Sequence, residues 1–96
     1  MSRILLVDDE PGIRLTLSEM LKDEGHDVTT AENGRAALEA LQQHPPDILL
    51  TDISMPGMDG IALAREVATS RPETTIILFT GQGTLENATA ALRLGG

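Results

Sequence analysis

Ninety-six residues with 41% hydrophobic content suit one small domain with a single core, near the lower limit for a layered α/β structure. Seven Lys and Arg against fifteen Asp and Glu give a formal charge of -8, and the cations are scattered from Arg3 to Arg93, so no basic stripe exists for nucleic acid to follow. The chain has no cysteine, which removes disulfides, thiolate metal sites and thiol nucleophiles, and its one aromatic residue, Phe79, makes no stacking platform for bases.

The opening Met1-Ser2-Arg3 leads into Ile4-Leu5-Leu6-Val7, an apolar run far too short for a signal peptide or a membrane span. A cytoplasmic location without membrane contact is expected. The run reads as a strand that passes directly into Asp8-Asp9-Glu10. Pro11 stands where a first helical turn tolerates it, and Ile13, Leu17, Met20 and Leu21 follow at i, i+4, i+7 and i+8, the apolar face of a helix ending at Gly25. Leu15 and Lys22 fall off that stripe. Asp27 to Ala31 reads as a short strand with β-branched residues. Asn33-Gly34 turns the chain into a helix carrying Ala37, Leu38 and Leu41, stopped by His44-Pro45-Pro46. The two histidines, His26 in a turn and His44 at a helix end, read as surface residues.

Ile48-Leu49-Leu50-Thr51 is the third strand and delivers Asp52. The stretch from Ile53 to Gly60 is a loop by its Pro and Gly content, after which Ile61, Ala64 and Val67 mark a helix that fades at Ser70-Arg71-Pro72. Thr75 to Phe79 is the fourth strand and runs into Thr80-Gly81. Gly81-Gln82-Gly83 is a loop, Thr84 an N-cap, and Leu85, Ala88 and Leu92 the stripe of a last helix before Gly95-Gly96.

Strands and helices thus alternate, and the strands are uniformly apolar, as when helices cover both faces of a parallel sheet. The fold class is α/β, a doubly wound parallel sheet. Such sheets bind ligands beyond the carboxyl ends of their strands, where Asp8, Asp9, Asp52 and Thr80 stand. A lone aspartate after a strand is commonly a cap or turn former; three acids and a threonine at three strand ends form a pattern. Two like charges ~5 Å apart at an effective dielectric of ~20 repel by roughly 3 kcal/mol. Either a proton, with one carboxyl pKa raised, or a hard divalent cation must offset that cost, and oxygen-only ligands favour Mg2+.

Asp8-Asp9-Glu10-Pro11, the run Asp52-Ile53-Ser54-Met55-Pro56-Gly57-Met58-Asp59-Gly60, and Thr80-Gly81 resemble the receiver domain of bacterial two-component response regulators across the whole chain. The resemblance implies the flavodoxin-like receiver fold with strand order 2-1-3-4-5, of which only four β/α units are present in residues 1–96. It implies that Asp52 accepts a phosphoryl group from a sensor histidine kinase or phosphotransfer protein. Asp9 would bind Mg2+ directly, Asp8 would assist through water or a hydrogen bond, the Ser54 backbone carbonyl would be a further ligand, and Thr80 would turn its hydroxyl toward the phosphoryl oxygens. Such a domain is a phosphorylation-controlled switch acting on an output domain or downstream protein, and not an enzyme in the ordinary sense. The stretches from Gly81 to Thr84 and from Ala90 to Gly95 look similar to receivers attached to transcriptional activators.

Receivers continue to a fifth strand and helix, with a lysine that pairs with the phosphoryl group and an aromatic switch residue. The single lysine here, Lys22, belongs to the first helix and cannot take that role. Two other readings are therefore carried forward: a degenerate receiver used as an assembly module, and an aspartyl-phosphate phosphatase of the haloacid dehalogenase type, whose second acid Asp52-Ile53-Ser54 lacks. Without a fifth strand, Ile76 to Phe79 is expected on an open edge. Either the chain is a fragment of a longer receiver, or two copies pair through that edge as a homodimer.

Overall fold

The structure, a computed structural model, describes residues 2–53, 55, 57 and 59–79 and the backbone of 92–94. The apolar runs form β1 (Arg3–Val7), β2 (Asp27–Ala31), β3 (Ile48–Asp52) and β4 (Thr75–Phe79), and the periodic segments form α1 (Pro11–Asp23), α2 (Gly34–Gln43) and α3 (Gly60–Ser70). A further strand, β5 (Leu92–Leu94), completes the order β2-β1-β3-β4-β5. The first four strands are mutually parallel, with Val7 paired to Thr51 and Asp52 to Phe79. That register brings the carboxyl ends of β1 and β3 side by side.

Alternate strand residues sort onto two faces. Leu5, Val7, Leu49, Ile76 and Leu78 pack with Ala37 and Leu41 of α2 and with Leu63, Ala64 and Val67 of α3 in one buried cluster. Ile4 and Leu6 face the other way and are buried as well. Their register partners Val28 and Thr30 line a surface hollow with Pro11, Arg14 and Ser18, which places α1 on that second face.

Coverage of the two faces is unequal. The stripe expected on α1 is only half-buried at Ile13, Leu17 and Leu21, and Met20 is 42% exposed. Ser18 is the buried residue of this helix, while Leu15, off the stripe, is 62% exposed. The cause is position, since α1 lies against β2 and β1. On the β3 and β4 part of the same face, Ile48, Leu50 and Ile77 stay half-buried.

The inward face of α3 also differs from the expected Ile61, Ala64 and Val67. Gly60, Leu63, Ala64 and Val67 are buried, and Ile61 is 41% exposed. Two contacts set this rotation. Asp59 Oδ1 accepts a hydrogen bond from the Ala62 N–H at 2.8 Å, capping the helix, and the Gly60 N–H donates to the Ile53 carbonyl at 2.8 Å. A Cβ on Gly60 would fall 1.9 Å from the Asp52 carbonyl oxygen, so glycine is what lets α3 begin directly on the end of β3. At α2 the corresponding cap is Asn33, whose Oδ1 accepts from the Ala36 N–H at 2.8 Å.

The last helix expected from Thr84 falls on residues 80–91, outside the described residues, and its final stripe position, Leu92, belongs to β5 instead. This strand runs antiparallel to β4, with Ile76 opposite Leu94, Ile77 opposite Arg93 and Leu78 opposite Leu92. An outer row of backbone N–H and C=O groups on an apolar strand needs partners, and that need outweighs a helical spacing carried by three apolar positions. The edge expected to be open at β4 is thus occupied within the chain, and the feature that suggested homodimer pairing there is gone. Among the described residues, no helix is long and apolar enough to cross a membrane.

Gly60→Ala forces backbone to move at the β3–α3 junction and should cost at least about 2 kcal/mol, whereas Asn33→Ala should cost about 1 kcal/mol through loss of a cap. Urea unfolding of both variants checks this; a Gly60→Ala midpoint equal to that of the unaltered chain would contradict the close approach.

Candidate functional site

Asp8, fully buried, directly follows β1 and precedes the exposed Asp9; β3 ends in Asp52, 1% exposed. β1, β3 and β4 are largely apolar along their length, and their acidic side chains appear at the carboxyl ends of β1 and β3. One carboxylate oxygen from each of Asp8, Asp9 and Asp52 lies within 4.8 Å of the other two. The convergence expected of these three acids is therefore present.

Asp8 is tied on both sides. Its N–H donates to the Ala31 carbonyl at 3.2 Å, and its Oδ1 accepts from the Glu10 N–H at 2.8 Å, closing the turn into α1. Its own carbonyl accepts a hydrogen bond from Arg14 Nη1 at 2.8 Å. The other carboxylate oxygen, Oδ2, is buried without a hydrogen-bond partner. Burial pushes the Asp8 carboxyl from the ordinary 3.8 up to about 6; the nearby carboxylates of Asp52, Asp9 and Glu10 push the same way, and the Glu10 N–H partly opposes them. Desolvation dominates because a carboxylate loses more on leaving water than one N–H bond returns.

The β3 side is fixed by backbone. The Ile53 N–H donates to the Phe79 carbonyl at 2.8 Å, and the Ile53 carbonyl in turn accepts from Gly60. The buried Thr51 hydroxyl donates to the Asp52 carbonyl at 3.0 Å. Gly57 takes a φ of 78° in the loop that follows, a left-handed conformation that glycine adopts without steric cost.

Three carboxylates this close make a cradle for a hard cation, and the buried, unpartnered Asp8 Oδ2 is an oxygen that a cation would satisfy. Oxygen-only donors, one of them on an exposed residue that leaves room for water or substrate, fit such an ion. Ser54 and Thr80, the other expected site residues, lie outside the described residues. Lys22 is in the last turn of α1, at the opposite end of that helix from the cluster. Sequence reading missed Arg14 and Gly60. For Arg14 the available signal was its place in the first turn after Asp8; for Gly60 it was a glycine at the very start of a helix.

A family model described as the response regulator receiver domain matches residues 4–96. The DNA-binding transcriptional regulator NtrC of Escherichia coli K12 is 41% identical over 92 residues, 96% of this chain and 20% of the relative. The response regulator receiver protein CpdR of Brucella abortus is 46% identical over 81 residues, 84% of this chain and 68% of the relative. Among solved structures, the response regulator TrrA of Thermotoga maritima in complex with Mg2+ and BeF superposes with a TM-score of 0.81 at 43% identity, covering 86% of this chain and 72% of that one. A complex of the histidine kinase ThkA with TrrA matches at a TM-score of 0.79 and 42% identity, covering 88% of this chain and 73% of that one. The chain spans about a fifth of the length of the NtrC relative. With the fold, the acidic strand ends and a family match over nearly its full length in agreement, the chain belongs to the response regulator receiver domain family.

Proposed function

We propose that this domain is a phosphorylation-controlled switch that accepts a phosphoryl group on Asp52 from a phosphohistidine of a sensor histidine kinase or phosphotransfer protein. The observation that carries the reading is the meeting of Asp8, Asp9 and Asp52 within 4.8 Å, with a buried Asp8 oxygen left unpartnered. Asp8, Asp9, Asp52 and the Ser54 carbonyl would hold Mg2+. When bound, that ion offsets the charge of the acceptor carboxylate and of the incoming phosphate.

The chain's own residues supply the rest. Asp52 stands on a strand end braced by Thr51, Phe79 and Gly60, so its carboxylate is held in place for in-line attack on phosphorus. The new O–P bond forms as the P–N bond to the donor imidazole breaks, and the electron pair leaves with the imidazole. The product is an acyl phosphate, labile enough to serve as a reversible signal. Asp9 is exposed and Asp8 buried, an arrangement in which Asp9 faces the entry and Asp8 backs the pocket. Thr80, next after β4, would contact the phosphoryl oxygens and pass the change to the segment that follows.

The domain would work in the cytoplasm, upstream of an output domain or separate protein, without binding nucleic acid or membrane itself. It is a switch and not a turnover enzyme. The likeness to TrrA, solved with Mg2+ and BeF and with the kinase ThkA, supports the magnesium and the kinase partner.

Full-length protein incubated with acetyl phosphate and Mg2+ should take up one phosphoryl group per chain, detected as intact mass, and Asp52→Asn should take up none. Absence of labelling in the unaltered protein would favour the degenerate, assembly-only receiver, and steady turnover of small phosphate esters would favour the phosphatase.

A second outcome concerns pH. The folded protein holds the Asp8 proton more tightly than the unfolded chain does, so between pH 3.8 and about 6 it binds more protons. Stability contributed by Asp8 is therefore complete below the unfolded value and is lost as pH rises through the folded one. In the absence of divalent ions, Asp8→Asn should gain up to about 3 kcal/mol on the unaltered protein between about pH 4 and about pH 7.5. Saturating Mg2+ should shrink that gap, as read from urea unfolding of both proteins.

A further inference from the structure

We propose that the groove between α1 and the edge of β2 is a docking site for an extended acidic segment of another protein, which adds to the sheet as an antiparallel strand beside β2. β2 is the end strand of the sheet and pairs with β1 alone. The Asp27 N–H donates to the Ser2 carbonyl at 2.9 Å and the Ala31 carbonyl accepts from the Asp8 N–H at 3.2 Å, so these residues turn their peptide groups toward β1. Alternation along a parallel strand then turns the N–H and C=O of Val28 and Thr30 outward, and among the described residues nothing pairs with them. Asp27, Thr29 and Thr30 are exposed. Val28, Thr29 and Thr30 carry none of the charge or proline that commonly blunts a sheet edge, and β-branched residues suit a pleated partner.

The side chains beside that edge choose the partner. Val28 and Thr30 face a hollow walled on α1 by Arg14, Leu15, Ser18 and Lys22. Arg14, Ser18 and Lys22 follow at i, i+4 and i+8, one stripe of the helix; the small, buried Ser18 in the middle leaves the space, and a cation stands at each end. Two of the chain's seven Lys and Arg thus line one hollow that none of its fifteen Asp and Glu enters. α1 returns the chain from the carboxyl end of β1 to the amino end of β2, so it runs alongside the edge. Eight helical residues rise ~12 Å and four strand residues ~13 Å, so carboxylates four apart on an added strand match Arg14 and Lys22. The residue midway between them covers Leu15, which is 62% exposed. The groove therefore selects acid, any, apolar, any, acid along its partner. A second copy of this chain fits less well. Its β2 side would present His26, Val28, Thr30 and Glu32, one carboxylate in place of two, and would bring a charge of -8 against -8.

The probe is a dye-labelled heptapeptide, Thr-Asp-Thr-Val-Thr-Asp-Thr, added to full-length protein and followed by fluorescence anisotropy. It should bind, weaken as salt rises, and lose at least about tenfold in affinity when both Asp are replaced by Lys. Lys22→Glu should lower affinity about fivefold, and a peptide with one Asp replaced by Lys should bind that variant better than it binds the unaltered protein. A lysine that served only the fold would not be rescued by the exchanged charge. Methylating the amide nitrogen of the central Val should lower affinity at least about tenfold without touching the protein, and so should Thr30→Pro, which removes an outward N–H from the edge. Absence of binding, or binding indifferent to the charge exchange or to the methyl group, overturns the proposal. So does a full-length dimer that Thr30→Pro converts to monomer while no peptide binds, which assigns the edge to a second copy. None of these measurements uses the acidic pocket, so their outcome is separate from whether Asp52 takes up a phosphoryl group.

Discussion

Like charges gathered at the edge of a buried sheet are the constraint around which this domain is built. Carboxylates within 4.8 Å of one another repel by roughly 3 kcal/mol per pair at the dielectric of a protein surface. The fold keeps Asp8 and Asp52 together because their strands are hydrogen-bonded neighbours in register. The core fixes the register, and the register fixes the acids. What the protein does with the resulting tension defines it: the Asp8 carboxyl holds its proton up to about 6, and its Oδ2 remains an unused acceptor. A domain selected for stability alone would have an amide or an apolar residue there.

The supports around the acids are mostly backbone, which suits a site whose chemistry is placement of charge. Ile53 is joined to Phe79 and to Gly60 by peptide hydrogen bonds, so β3, β4 and α3 meet within a few residues of Asp52. Gly60 packs on the Asp52 carbonyl itself. Among the described side chains, the Thr51 hydroxyl donates to the Asp52 carbonyl and Arg14 to that of Asp8.

Much of this was legible in the chain before the structure. Runs such as Ile48-Leu49-Leu50-Thr51 are apolar at consecutive positions, as in a strand of a sheet with helices packed on it, and the acids following the first and third runs meet in the structure. The helix faces were harder. On α1 the apolar spacing is correct, yet Ile13, Leu17 and Leu21 remain half-buried, because burial depends on how much sheet lies beneath a helix and not on its periodicity. On α3 the reading chose Ile61 where the structure buries Leu63, since a cap at Asp59 and a glycine contact, neither visible as hydropathy, set the rotation. At Leu92 a helical spacing yielded to a neighbouring strand edge, a tertiary demand that no local pattern encodes. Arg14 escaped notice because its partner is a backbone carbonyl, and its place in the first turn after Asp8 was the one sign the sequence offered.

The uneven cover of the sheet has a dynamic consequence. Leu63, Ala64 and Val67 lock α3 into a cluster shared with α2 and four strands, whereas α1 rests on β1 and β2 with one buried residue, Ser18. Opening free energies follow such differences in packing, so α1 can loosen while the α2 and α3 side stays closed. The molecule therefore has a tightly packed half on the α2 and α3 side and a compliant half in α1, the helix that begins just after Asp8, Asp9 and Glu10, and thermal breathing of that single helix is enough to shift the acidic turn in front of it.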